Sequence, residues 1–443
     1  MYKKSIYFSR FFQWWSWTGS NRRPSECHPD ALPTELQPHR FRINGSHFLK
    51  ILLFLFNINF NYYNMNFFFK LFFLVFILVS NLHAEVKIHN IKEYKMTQKK
   101  IILTEIIKGL NYPWGLTFID DKNLVVTEKN GGLLKINIIS KKITKIKHHI
   151  KSITFNGSGQ GGLLDVLYND GYLYFTYSHK FESTNDKKNY STVIARGKLI
   201  DDEIKNFEKL LIGRPKLARN IHWGSRMVIH KNHLYASFGE RGLGMIAQDP
   251  SKHPGSIIRI NIDGSIPEDN PSKIKKNKWL PEIFLIGVRN PQGMAISPKN
   301  KKVYFSQHGP RGGDNIGIVK KGGNYGWKDI AWGGTEYYGG KIGNKPFKKK
   351  YDLPIISWVP SIGVGQINFY SGNTFSEWNE NLLVSAIKGG LLIRLVLEED
   401  KVVDQEIIIN KKIGRIRDFE ISSSGDIYLV VDDKNSSLWK LSK

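Results

Sequence analysis

One of the 443 residues is cysteine, Cys27. No disulfide framework can form within such a chain. Acidic residues are also scarce, 39 against 65 basic ones. That excess invites a nucleic-acid partner. The lysines scatter through turns, however, with Lys341–Lys350 the densest run, and no nucleic-acid motif is present. The reading is solvated surface charge, no nucleic acid, and attraction to small anions. A sustained 3.6-residue apolar period is missing as well, which excludes a helical bundle.

The N-terminal part reads separately. Residues 1–64 carry Trp14-Trp15-Ser16-Trp17, clustered proline and arginine, and no strand or helix period. They are read as a mis-annotated extension, with translation starting at Met65. Residues 65–84 have Lys70, an apolar core from Leu71 to Val79 and a polar tail ending in Ala84, the layout of a signal peptide. The alternative is a membrane anchor over 48–79, which Asn57, Asn59, Asn61 and Asn64 interrupt. Cleavage would leave 85–443, exported, cysteine-free and without a stable membrane anchor. That length can bury a large core.

The rest is repetitive. WGLTFIDDKNLVVTE (114–128), GLLDVLYNDGYLYFTY (162–177), SRMVIHKNHLYASFGE (225–240), QGMAISPKNKKVYFSQ (292–307), GQINFYSGNTFSEWNENLLVSA (365–386) and IRDFEISSSGDIYLVV (416–431) share one plan. An alternating strand leads to a polar turn and a second strand rich in β-branched and aromatic residues. Further strands follow at 132–138, 191–200, 256–264 and 391–399. Six repeats of four strands predict an all-β, six-bladed β-propeller, although two sandwiches would also be all-β. The strand at 101–107 is expected to complete the last blade and close the ring.

In a hairpin, the start of the first strand and the end of the second lie at one end. One mouth of the channel should therefore collect Gln160, His222, Glu240, Arg289, Asn290, Gln307-His308-Gly309-Pro310, Lys388, Arg415, Arg417 and Asp432. Loops 242–256, 312–327 and 333–350 are expected there too. Several cations suit a small polyanion, and a histidine beside a carboxylate suits a general base.

These residues carry a resemblance. GLNYPWGLTF, GQGGLLDV, HWGSRMVI, GERG, PEIFLIGVRNPQGMA, SQHGPRGGDN, KGGNYGW and GRIRDFEIS resemble the PQQ-dependent soluble aldose sugar dehydrogenases of the glucose/sorbosone dehydrogenase family. The resemblance runs from about Gly109 to Leu441. It implies a six-bladed, periplasmic enzyme that oxidises aldoses at the anomeric carbon to lactones. It implies His222 as catalytic base, with Glu240 holding its tautomer and Arg289 beside it. Gln160, Arg289, Asn290, Lys388, Arg415 and Arg417 would bind the quinone, with Asp432 orienting the arginines. The carbonyls of Gly309 and Pro310 would hold a calcium ion. A cytochrome or membrane quinone would accept the electrons. Asn315, Ser225, Trp223 and Glu240 depart from the family's usual residues.

Plainer readings exist for single residues. His222 alone is an ordinary strand-edge histidine, Lys388 a turn lysine, and Arg415 and Arg417 partners of Asp418 or Asp432. Tyr325 and Trp327 read as packing; Trp358 reads equally as core or as a ring cap. A non-catalytic binding propeller is the alternative function. A calcium-dependent lactonase would need a carboxylate-lined channel, and this mouth is too cationic.

Overall fold

A computed structural model describes residues 86, 88–182, 189–274 and 279–443. The extension and signal-peptide expectations, 1–64 and 65–84, lie outside the described residues. The described part falls in one compact unit, Ala84–Lys443. Among the described residues no helix is long and apolar enough to cross a membrane.

Six blades follow one another along the chain, antiparallel except where the short strands Ile88–His89 and Lys95–Met96 add in parallel to the outer edges of blades 4 and 5. Blade 1 starts with strands Pro113–Phe118 and Asn123–Glu128, and blade 2 with Leu163–Asn169 and Tyr172–Lys180. Blade 3 starts with Gly224–His230 and His233–Phe238, and blade 4 with Pro291–Ile296 and Val303–Gln307. Blade 5 starts with Val364–Phe369 and Leu382–Ala386, and blade 6 with Ile416–Ile421 and Ile427–Val431. The first strands neighbour one another in sequence around the axis, including the last against the first. The ring is latched as expected: Ile102–Leu110 pairs with Ser436–Ser442 and becomes the outer strand of blade 6. One segment read as loop differs. Asp314–Ile318 is the third strand of blade 4, its glycine-rich flanks having hidden a short buried run.

Alternation explains how the blades pack. Leu124 and Val126 point into the seam with blade 6, while Val125 points into the seam with blade 2. Each of the six seams has its own apolar cluster. A strand buried on both faces needs the β-branched and aromatic residues that mark these second strands.

All six first strands carry a register shift near their start. A bulge adds a residue, re-aims side chains and frees a backbone N–H. In blades 1 to 3 a hydroxyl on the second strand takes up that group. Thr127, Thr176 and Ser237 accept from Gly115, Asp165 and Arg226 at 3.0–3.1 Å. Thr176 also donates to Ser225 O of the next blade at 2.7 Å, and Ser306 donates to Gly365 O at 2.6 Å. The hydroxyls thus couple neighbouring blades where the strands bend.

The bulges bring Asp165, Arg226, Gln292 and Arg417 near the axis. Arg226 is buried and donates to Asp165 at 2.7 Å and Asp418 at 2.9 Å, tying blades 2, 3 and 6 together. Glu420 sits beside this triad. Burial, with the charges of Asp418 and Asp165, pushes its carboxyl up to about 8. Unfolding would return it to the ordinary glutamate range, so folding requires proton uptake between those values, and the cost grows as pH rises. Glu420→Gln is therefore expected to raise the melting temperature more at pH 8 than at pH 5. Equal shifts at both pH values would contradict this.

Candidate functional site

The hairpin ends gather at one mouth of the channel. A cleft of about 150 Å³ opens there, lined by Trp114, Lys129, Gln160, Trp223, Gln292 and Arg417 among others. A larger cavity of about 380 Å³ lies between blades 4 and 5 around Asn300, Tyr304 and Asp400. It holds none of the candidate residues and sits at the turn end of the hairpins, so the smaller, charged cleft is the functional candidate.

His222 precedes the first strand of blade 3, and Glu240 follows its second. Their side chains meet: Nδ1 of His222 lies 2.5 Å from Oε1 of Glu240. A carboxylate can only accept, so Nδ1 carries the hydrogen and Nε2 keeps its lone pair. Burial lowers the imidazole's affinity for a proton. Glu240 opposes that shift, while Arg289 and Arg241 add to it. Glu240 is itself buried, yet its hydrogen bond to His222, a backbone donation from Gly244 and the charge of Arg289 hold it below the usual carboxylate range.

Gln160 and Asn290 brace this segment from neighbouring blades. Gln160 Oε1 accepts from His222 N at 2.7 Å, and Asn290 Oδ1 accepts from Gly224 N at 3.0 Å. Arg289 lies across Trp327, with 5.2 Å from guanidinium to ring centre, and donates to Gly309 O at 3.0 Å. The Gly309 loop is pinned by Asp314, which accepts from Gly309 N at 2.7 Å and from Gly363 N at 2.5 Å. Asn315 locks the other side through Gly313 O and Gln307. Pro310 is buried in the same loop.

A second cluster stands across the cleft. Asp432 accepts from Arg417 at 2.7 Å and lies 2.9 Å from Lys129 and 3.4 Å from Arg415. Its burial would raise its pKa, but these cations hold it far below the carboxylate range. Arg417 also donates to Gln292 at 3.0 Å. Lys129 was not singled out from sequence, because a lysine in TEKNGG reads as a solvated turn. It is in fact buried, with its ammonium 4.9 Å from the rings of Tyr112 and Phe155. Its place after the second strand of blade 1, equivalent to Asp432 in blade 6, was the available signal. Arg415 and Lys388 are exposed at the rim. Asp418, weighed as an alternative partner for the arginines, serves Arg226 instead.

Tyr325 and Trp358 are fully buried; Trp358 donates to Tyr94 at 3.0 Å, so it belongs to the core. Trp327 packs under Arg289. Among the described residues no group of three histidine, cysteine, aspartate or glutamate side chains could hold a metal ion. Any cation near Gly309 would meet backbone carbonyls.

Two buried guanidinium nitrogens of this region have no hydrogen-bond partner: Nε of Arg289 and Nε of Arg417. Burial and the charges of Arg417 and Arg289 push His308 down to about 3, so it stays neutral. Cations Lys129, Arg289, Arg415 and Arg417 outnumber the carboxylates Glu240 and Asp432. Unsatisfied donors around an excess of positive charge are what an anionic ligand requires.

The family model described as Glucose / Sorbosone dehydrogenase matches residues 110–440. Aldose sugar dehydrogenase YliI of Escherichia coli (strain K12) is 32% identical over 343 residues, covering 75% of this chain and 90% of that protein. Quinoprotein glucose dehydrogenase B of Acinetobacter calcoaceticus is 27% identical over 425 residues, covering 77% and 86%. The crystal structure of the soluble aldose sugar dehydrogenase from Escherichia coli in the apo form superposes with a TM-score of 0.72 at 31% identity, covering 77% of this chain and 99% of that one.

Proposed function

Because the chain belongs to the glucose/sorbosone dehydrogenase family, we propose that it is a PQQ-dependent dehydrogenase that oxidises aldoses at C1 to lactones. The observation that carries this is a neutral His222 imidazole, its Nδ1 held by the Glu240 carboxylate, beside a cationic, donor-rich cleft at the same mouth. A quinoprotein among the relatives supports the cofactor.

The quinone bears three carboxylates and, when bound, supplies the redox chemistry by accepting the hydride from C1. Lys129, Arg415 and Arg417 would meet its negative charge, with Lys388 at the rim and Gln160, Arg289 and Asn290 contributing polar contacts. Asp432 fixes the direction of Arg417 and keeps the cluster from being purely repulsive. Glu240 orients His222 so that Nε2 takes the proton of the anomeric hydroxyl. Burial and nearby arginines keep that nitrogen unprotonated before the reaction.

Calcium would be held by the carbonyls of Gly309 and Pro310, where it would act as a Lewis acid. The Gly309 carbonyl accepts from the Arg289 guanidinium at 3.0 Å, which leaves its second lone pair for a metal ion. Two neutral oxygens fall short of the usual six to eight ligands, so the remaining oxygens must come from cofactor and water. The proposed location is the periplasm, and the electron acceptor a cytochrome or membrane quinone.

The test is reconstitution. The chain from Glu85, made without cofactor, is expected to reduce a dye with aldoses only after quinone and calcium are both added. Absence of quinone binding would defeat the enzyme reading and favour the non-catalytic binding propeller.

A further inference from the structure

His222 stands on strained backbone. Its φ is 49°, in the left-handed region, which costs about 1–2 kcal/mol for a residue with a Cβ. Gly239 is packed so tightly against it that a Cβ there would lie 2.0 Å from His222 O. Something must hold the chain in this shape. From one side Gln160 binds the His222 N–H. From the other, Arg241 does more.

Arg241 immediately follows Glu240. Its Nε donates to Ile221 O at 2.9 Å and its second amino group donates to Arg219 O. The guanidinium lies 3.4 Å from the centre of the Trp223 ring. Trp223 is fixed in turn by its indole N–H donating to Asn220 at 3.1 Å and by packing on Trp114 and Leu164. Arg241 is 3% exposed and pairs with no carboxylate within 4 Å among the described residues. A buried guanidinium without a partner anion is costly. Two carbonyls and an indole face offset part of that cost. Both carbonyls belong to the three residues that lead into His222.

We propose that Arg241 is the positioning residue of the base: it clamps segment 219–221 and so aims the His222 imidazole. The proposal rests on the reading of His222 as the base. The charged and titratable groups facing the imidazole are Glu240, Arg241, Arg289 and His308. Glu240 favours the protonated ring, and the two arginines disfavour it. Trp223, which departs from the family's usual residue, thereby acquires a use as the platform for the clamp.

Two variants and two readouts test it. In the cofactor-free protein, the His222 imidazole is titrated by NMR, its signals identified from their loss in His222→Gln. Arg241→Met should move the titration to higher pH, while Arg241→Lys should leave it near the wild type. In reconstituted enzyme, Arg241→Met should lower kcat by about 100-fold, the scale of a misplaced reacting group. Arg241→Lys keeps the charge but loses the two-carbonyl grip, and should lose about tenfold by partial rescue. Quinone affinity should change by less than threefold in both. An Arg241→Met protein with unshifted titration and kcat within twofold of wild type overturns the proposal. So does a loss of quinone affinity parallel to kcat, which would mean general collapse of the site. If Arg241→Met does not fold, Arg241→Lys decides alone, and unchanged kcat overturns the clamp. A wild type that binds no quinone would defeat the proposed function instead, and the NMR titration would still report on Arg241.

Discussion

Replacing His222 with glutamine is expected to lower kcat/KM for aldose oxidation by about 10³-fold, within the range ascribed to a general base. Quinone affinity should stay within a few-fold of wild type, because no observed hydrogen bond of the cationic cluster passes through the imidazole. Glutamine keeps much of the side-chain volume and can still hydrogen-bond to Glu240, which limits structural damage. It has no basic nitrogen to take up a proton. If turnover survives within tenfold, the proton leaves by another route and the dyad is structural. The wild-type pH profile gives a second check. The folded His222 gains protons less readily than a free histidine, chiefly through burial, with Arg289 and Arg241 adding to the effect. A base must be unprotonated to work, so the acid limb of kcat/KM should lie below the ordinary histidine value of 6.5. Glu240→Gln would remove the group that opposes the shift. It should push that limb lower while reducing kcat, because the tautomer is no longer fixed.

The hairpins and the ring were legible because a strand buried on both faces still alternates in type. Leu124, Val125 and Val126 supply two different seams, and the turn chemistry between strands is explicit. The dyad was legible for a geometric reason: the two ends of one hairpin must meet, so His222 and Glu240 had to be close. The bulges were not legible. An inserted residue leaves no trace in a short alternating run, so Arg226 within HWGSRMVI looks like an outward-facing strand residue. The bulge turns it to the axis instead. The hydroxyls Thr127, Thr176 and Ser237 recur at matching places in the repeats, but their purpose appears only once the freed N–H groups are seen. Lys129 was hidden by composition, since nothing in TEKNGG distinguishes a buried ammonium from a solvated one. Aligning blade 1 with blade 6 would have put it opposite Asp432.

Arg226→Met is expected to cost about 3–5 kcal/mol of stability at pH 8, the scale of removing one partner from a buried ion pair. Two carboxylates would lose their cation at once. Asp165 also accepts from Met227 N at 2.7 Å, and Asp418 accepts from Leu116 N at 2.9 Å. Backbone donors from blades 1 and 3 therefore depend on both staying in place. Burial already raises the Asp165 carboxyl to about 7 and raises Asp418, with Arg226 as the main restraint on both. Without that restraint both groups would hold their protons to higher pH. A group whose folded pKa is raised stabilises the fold while protonated and loses that contribution as pH climbs. The penalty of the variant should therefore shrink at pH 5 and grow toward pH 8. Melting curves at the two values test this, and Arg226→Met combined with Asp418→Asn should recover part of the loss at pH 8. A penalty that is flat with pH would mean that Arg226 acts by packing against Trp114, 4.4 Å away, rather than by charge. Gln292 links the triad to the site. Arg226 Nε donates to Gln292 O at 3.0 Å, and Gln292 Oε1 accepts from Arg417 at 3.0 Å. The axial ion triad is thus the floor on which the cationic cluster stands, and loosening it should weaken quinone binding even in a variant that still folds.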